Sequence, residues 1–160
     1  MADAKALHRL RRRIEHWLAD RGIEQWGHGY LPLEEITDQI RAGEWYAVRD
    51  PALGIVAAAR LLRTDPQVWG EDDTPAVYVH GLMVERAASG RGLEALILEW
   101  AAQRGRAEGA AALRLDCVES NTELWAFYRR QGFRDVGRRD VDGPWYSAVL
   151  LEKALFPEPH

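Results

Sequence analysis

The run from Tyr78 to Leu98, YVHGLMVERAASGRGLEALIL, constrains this chain more than any other stretch. Its first seven residues are mostly apolar, with the β-branched and aromatic side chains that suit a buried strand. A loop of small residues follows, and from Leu93 the apolar positions take up helical spacing. Strand, glycine loop and helix in that order present the unpaired N–H groups and positive dipole end of a helix N-terminus to whatever the loop encloses. The arrangement favours a phosphorylated ligand.

Upstream, Leu7, Leu10, Ile14, Trp17 and Leu18 recur at steps of three and four, which predicts an amphipathic helix from Asp3 to Arg21 ending at Gly22. The segment through Gly27, Gly29 and Pro32 is a loop carrying Trp26, His28 and Tyr30, and its aromatic side chains suit either a substrate wall or packing onto the core. A second helix follows Pro32, buries Leu33, Ile36 and Ile40, and stops at Gly43. The period then changes to two, so Trp45 to Arg49 and Leu53 to Arg63 form a hairpin around Asp50 and Pro51. Thr64 to Pro75 reads as a polar loop with an acidic run at Glu71, Asp72 and Asp73.

Beyond the central run, its helix reaches about Gly105 and Ala111 to Val118 is a strand. A short helix covers Asn121 to Arg130, and Phe133 to Arg139 and Trp145 to Lys153 are two last strands turning at Asp142-Gly143-Pro144. This order predicts an α/β (α+β) domain over residues 1–160 with a mixed, mostly antiparallel sheet flanked by helices. Only the strands on either side of the central helix need be parallel.

The formal charge of −4 speaks against a general nucleic-acid or anionic-membrane surface, and Arg11, Arg12 and Arg13 read as a solvated helix face. Cys117 is the only cysteine, so no internal disulfide can form, and the five histidines show no metal-ligand spacing with it. With neither a secretory leader pattern nor an apolar run of membrane-spanning length, the expected setting is a reducing cytoplasm.

Two patterns compete for the glycine loop. Gly90-Arg91-Gly92-Leu93-Glu94-Ala95 fits GxGxxA, the dinucleotide fingerprint, with Asp116 at the end of the next strand. That fingerprint needs its first glycine directly after the strand, whereas Glu85 to Ser89 intervene here. The loop Ser89-Gly90-Arg91-Gly92-Leu93-Glu94, after the strand ending Leu82-Met83-Val84, instead resembles the acetyl-CoA loop of the GCN5-related N-acetyltransferases (GNAT), (Gln/Arg)-x-x-Gly-x-(Gly/Ala). Asn121 followed by Phe127-Tyr128-Arg129-Arg130-Gln131-Gly132-Phe133 is similar to the family's N…FYxxxGF segment at the matching distance. The resemblance runs from the first helix to the last strand, with two departures, one in the loop and one at the start of the chain. Glu94 stands where the family has glycine or alanine, Ser89 where a basic or amide side chain is common, and the chain opens in a helix without the usual first strand.

The resemblance implies a single-domain N-acetyltransferase that carries an acetyl group from acetyl-CoA to the primary amine of a small molecule. Backbone groups of Leu82, Met83 and Val84 would hold the pantetheine arm, and Ser89, Gly90, Arg91, Gly92 and Leu93 the pyrophosphate. Asn121 would fix the arm, cap the following helix, or both. Thioester aminolysis needs a proton donor for the thiolate, for which Tyr128 is the choice, the resemblance also making it a cofactor contact at the sulfur with packing under CoA as the alternative, and a proton acceptor for the amine. His80 is the acceptor candidate, in a segment similar to that of the arylalkylamine N-acetyltransferases; it shares a strand face with Tyr78, Leu82 and Val84 on strict alternation. A hydrogen-bonded structural role for His80 stays open, with Asp116 and Glu119 as alternative acceptors. Trp26, His28 and Tyr30 are the candidate substrate wall, Cys117 reads as a core residue, and the open sheet edge allows a homodimer. The rival reading is a non-catalytic CoA-binding or protein-interaction module, its pyrophosphate loop degraded by Glu94.

Overall fold

The computed structural model describes residues 2–23, 31–140 and 147–156. Helices α1 (Ala2–Asp20) and α2 (Leu33–Arg41) lead into the hairpin β1 (Trp45–Asp50) and β2 (Gly54–Leu62). A one-turn helix α3 (Pro66–Trp69), strand β3 (Ala76–Val84), a 3₁₀ turn (Arg86–Ala88) and helix α4 (Leu93–Ala107) follow. Strand β4 (Ala112–Val118), helix α5 (Thr122–Arg130), β5 (Arg134–Arg139) and β6 (Ala148–Ala154) complete the order. The strands form one six-stranded sheet, β1-β2-β3-β4-β6-β5, antiparallel at every pairing except β3 with β4. This is the mixed, mostly antiparallel sheet that the periodicities predict. Among the described residues no strand precedes α1, and β1 stands at the sheet edge.

The three- and four-residue steps of α1 put Leu7, Leu10, Ile14 and Leu18 on one stripe, which meets Ile36 of α2 and Ile55, Ala58 and Met83 of the sheet. On the other face, Leu93, Ile97 and Leu98 of α4 and Tyr128 of α5 pack against Val56, Val77, Val79, Leu113 and Leu115. Each such large apolar side chain contributes about 1.5–3 kcal/mol when fully buried.

A bulge interrupts β3. Ala57 lies opposite Val84 and Ala58 opposite Met83, but Arg60 lies opposite His80, so Gly81 and Leu82 together face Ala59. Gly81 holds φ at 60°, and a Cβ there would sit 2.9 Å from the Trp45 ring. Glycine is therefore required both by conformation and by space. The bulge inverts the alternation: Val77, Val79, Leu82 and Val84 all face α4, whereas Tyr78 and Met83 face the opposite side. The shared face expected for Tyr78, His80, Leu82 and Val84 is corrected accordingly, because the period of two does not survive the extra residue.

Smaller corrections have local causes. Thr64 to Pro75 is not loop throughout, since Pro66 starts α3. The central helix runs past Gly105 to Ala107. Arg11 is buried and meets Glu15 at 2.9 Å, and Arg13 reaches Glu85 at 3.0 Å, so the arginine cluster is not simply a solvated face. The Asp142-Gly143-Pro144 turn and Trp145 lie outside the described residues. Substituting Gly81→Val is expected to destabilise the protein by about 1–3 kcal/mol, read as a lowered urea midpoint; an unchanged midpoint would show that the bulge accepts a side chain.

Candidate active site

The parallel ladder between β3 and β4 has three residue pairs, Ala76 with Ala112, Val77 with Leu113 and Tyr78 with Arg114. Both strands continue, to Val84 and Val118, without pairing further. The bulge at Gly81 lies just past the last pair and bends β3 there. The strands part around a small cavity of about 80 Å³ lined by His80, Leu82, Asp116, Cys117 and Tyr128 among others. Leu82 and Tyr128 also line a larger cavity of about 670 Å³, walled by Trp17, Met83, Val84, Arg86, Glu94 and Asn121.

The larger cavity reaches the N-terminal turn of α4. Gly92 is the residue before that helix, at φ 73°, and no side chain caps it, so the first-turn N–H groups are available to a ligand. Ser89, Gly90, Arg91 and Gly92 are exposed and fall in the chain between the cavity-lining Arg86 and Glu94 without lining the cavity themselves, whereas the Leu93 side chain packs into the core. Arg91 meets Asp50 at 2.9 Å; the Ala52 N–H and Arg91 hold that carboxyl below its usual range. Glu94 is half-buried and faces the cavity. Asn121 is buried in the same wall and accepts a hydrogen bond from the Leu124 N–H at 3.2 Å, so the cap and the cavity position coincide.

Tyr128 is 5% exposed, packed against the Phe127 and Phe133 rings. Burial, reinforced by the negative character of Cys117, Asp116 and Glu94, pushes its phenol above the ordinary value, so it stays protonated at neutral pH. Cys117 beside it is pushed up to about 12, by burial first and then by Asp116 and Asp135. A thiol so placed is a core residue and not a nucleophile at neutral pH.

On the opposite face, His80 Nε2 lies 2.8 Å from Asp65 Oδ2. Asp116 joins them, with ligating atoms of all three side chains within 4.8 Å of one another. Asp65 comes from the residue before α3, His80 from β3 just ahead of the bulge, and Asp116 from β4 just past the last ladder pair. Burial raises the Asp116 carboxyl; His80 opposes the rise and Asp65 adds to it. Glu119 is engaged elsewhere, 2.7 Å from Arg138. Asp65 escaped the sequence reading: its only local signal is the Asp-Pro start of a helical turn, which says nothing of a histidine fifteen residues on. Trp26, His28 and Tyr30 lie outside the described residues.

The acetyltransferase (GNAT) family model matches residues 11–133, and the chain belongs to that family. It is accordingly an acyltransferase of the GNAT type. The uncharacterized N-acetyltransferase YesJ of Bacillus subtilis (strain 168) is 34% identical over 164 residues, covering 98% of this chain and 87% of that protein. A GNAT-family acetyltransferase from Listeria monocytogenes 4b F2365 is 29% identical with a TM-score of 0.77, over 96% of this chain and 90% of its own. YncA of Salmonella typhimurium, solved with its cofactor acetyl-CoA, shares the fold at 14% identity and a TM-score of 0.72, over 99% and 92% of the two chains.

Native protein is expected to react with an aromatic disulfide reagent no faster than it unfolds, with denaturant restoring the normal Cys117 rate. Fast reaction of the folded protein would contradict the burial of that thiol.

Proposed function

We propose that the chain transfers an acetyl group from acetyl-CoA to the primary amine of a small molecule by direct attack on the thioester. The observation that carries this reading is the gap where β3 and β4 part, bordered by His80, Asp116 and a protonated Tyr128, with Asp65 hydrogen-bonded to His80. Acetyl-CoA supplies the activated carbonyl and a thiolate leaving group. Beyond Tyr78 the edge of β3 that faces β4, along Leu82, Met83 and Val84, has no strand partner among the described residues although Met83 and Val84 pair with β2 on the other side, and this free edge suits the amide-bearing pantetheine arm as an added strand. Ser89, Gly90, Arg91, Gly92 and the backbone of Leu93 then lie at the pyrophosphate, where the uncapped start of α4 favours an anion.

In the reaction, the amine nitrogen forms a bond to the acetyl carbon as the carbon–sulfur bond breaks. His80 takes the amine proton while Asp65 stabilises the resulting imidazolium, and Tyr128 gives its proton to the departing sulfur. A cavity of about 670 Å³ is of small-molecule size, and Ile14, Trp17 and Leu18 of α1 give it an apolar wall. Trp26, His28 and Tyr30, outside the described residues, are kept as the substrate contacts on the strength of their aromatic character alone.

Glu94 favours the second reading, a CoA-binding or interaction module without turnover. Its carboxylate faces the cavity close to where a pyrophosphate would lie, and like charges repel there. The same carboxylate in the first turn of α4 stabilises the helix by roughly 0.3–1 kcal/mol, which gives it a structural reason to be present.

Calorimetric titration with acetyl-CoA, followed by assay against a panel of small amines and short peptides, tests both readings. We expect micromolar binding, turnover of small amines in preference to peptides, and severalfold tighter acetyl-CoA binding in Glu94→Ala. Binding seen only in Glu94→Ala would install the second reading. Tyr128→Phe is expected to lower kcat about 100-fold with acetyl-CoA affinity unchanged, and an unaltered kcat would remove Tyr128 as the acid.

A further inference from the structure

The face of the sheet that carries His80 and Asp116 has a second polar layer directly behind them. Tyr78 and Arg114 form the last pair of the β3–β4 ladder, two residues before His80 and Asp116 on their respective strands. Arg114 is only 5% exposed, yet its guanidinium is fully engaged. Its Nε donates to Glu152 of β6 at 2.8 Å, one Nη to the Tyr78 hydroxyl at 3.0 Å, and the other reaches Asp72 at 3.0 Å. Its plane also lies over the Trp69 ring, 4.6 Å from the centroid, and Trp69 in turn meets the Tyr78 ring edge-on.

Asp72 and Trp69 belong to the same segment as Asp65, the stretch between β2 and β3. The Trp69 N–H donates to the Asp65 carbonyl at 2.9 Å, so the turn gripped by Arg114 is the turn that carries Asp65. The Trp69 indole N–H is buried without a hydrogen-bond partner, which works against docking the turn here; the grip of the guanidinium and of the Tyr78 ring outweighs it.

We propose that Arg114 is a positioning residue for acyl transfer: through Asp72 and Trp69 it holds the α3 turn against the sheet and so sets the Asp65 carboxylate on His80. This rests on the reading of His80 as proton acceptor. Among the described residues, the other charged groups around His80 are Asp116 on β4 and Arg60, opposite it on β2 and bonded to Glu44 at 2.6 Å. None of these belongs to the turn, so loosening the turn alters Asp65 selectively.

A double-mutant cycle tests the proposal. Asp72→Asn and Trp69→Leu change partly exposed residues of the turn and leave the buried Arg114–Glu152 pair intact, and thermal unfolding checks that each variant is folded. We expect each to lower kcat about tenfold with the KM for acetyl-CoA unchanged, and to have less than a twofold effect when Asp65 is already Asn. Effects that multiply with Asp65→Asn, or a normal kcat in both turn variants while Asp65→Asn is slow, would overturn the positioning role and leave the proton-acceptor reading standing. A normal kcat in both His80→Gln and Asp65→Asn would remove that reading, and the positioning role with it.

Discussion

The constraint on which the site depends is the early end of the β3–β4 ladder. Two parallel strands that stop pairing after three residues leave backbone donors and acceptors facing each other across a gap. In a folded core such groups are almost always paired, because each one left unsatisfied costs about 1–3 kcal/mol. The sheet around the gap is well connected, with β4 fully paired to β6 and β3 to β2 on either side of its bulge. The opening is thus held by its neighbours. A ligand arm that carries its own amides is the kind of occupant that satisfies it, which is how the fold and the family's acyl donor meet.

The second consequence of the same region is a division of labour between faces. Without the bulge, strict alternation would align His80 with Leu82 and Val84 on one side of the sheet. With two residues facing Ala59, His80 stays on the side of Tyr78 while Leu82 and Val84 turn toward α4 and Tyr128. On the proposed reading, the acid and the base then work from opposite faces of the gap. One glycine with φ at 60° is what separates them.

Much of this was legible in the sequence for simple reasons. The α1 stripe, the hairpin and the helix after the glycine loop announce themselves by period, and Asn121 and Tyr128 by spacing within a motif. The parallel pairing of β3 with β4 follows from the intervening helix. The bulge was not legible, because Gly81 inside an apolar strand is compatible with either an extended or a bulged backbone. Asp65 was hidden for a different reason. The role proposed for it comes from a contact between a loop and a strand, which on the same proposal the distant Arg114 fixes, and no local pattern encodes a contact of that kind. Glu94 shows the reverse case: its departure from the family pattern was visible, but its direction toward the cavity depended on the rotation of α4.

The charge around His80 has a further implication for how an amine is handled. Two carboxylates beside one imidazole favour a cation, and an alkylammonium is the cation that most amines bring at neutral pH. A site that only stabilised the cation would bind the amine and never release its proton. Asp116 tempers this, since its burial raises its carboxyl and disfavours a second full negative charge next to Asp65. With Nε2 of His80 held by Asp65, Nδ1 is the ring nitrogen left to take the proton once it leaves the amine, and Asp65 stabilises the imidazolium that results. On the acyl-transfer reading, the cluster is balanced between holding the ammonium and accepting its proton. That balance depends on Asp116 being half-buried and on Asp65 being fixed in place. Both conditions come from the sheet and the α3 turn and not from the reacting groups themselves.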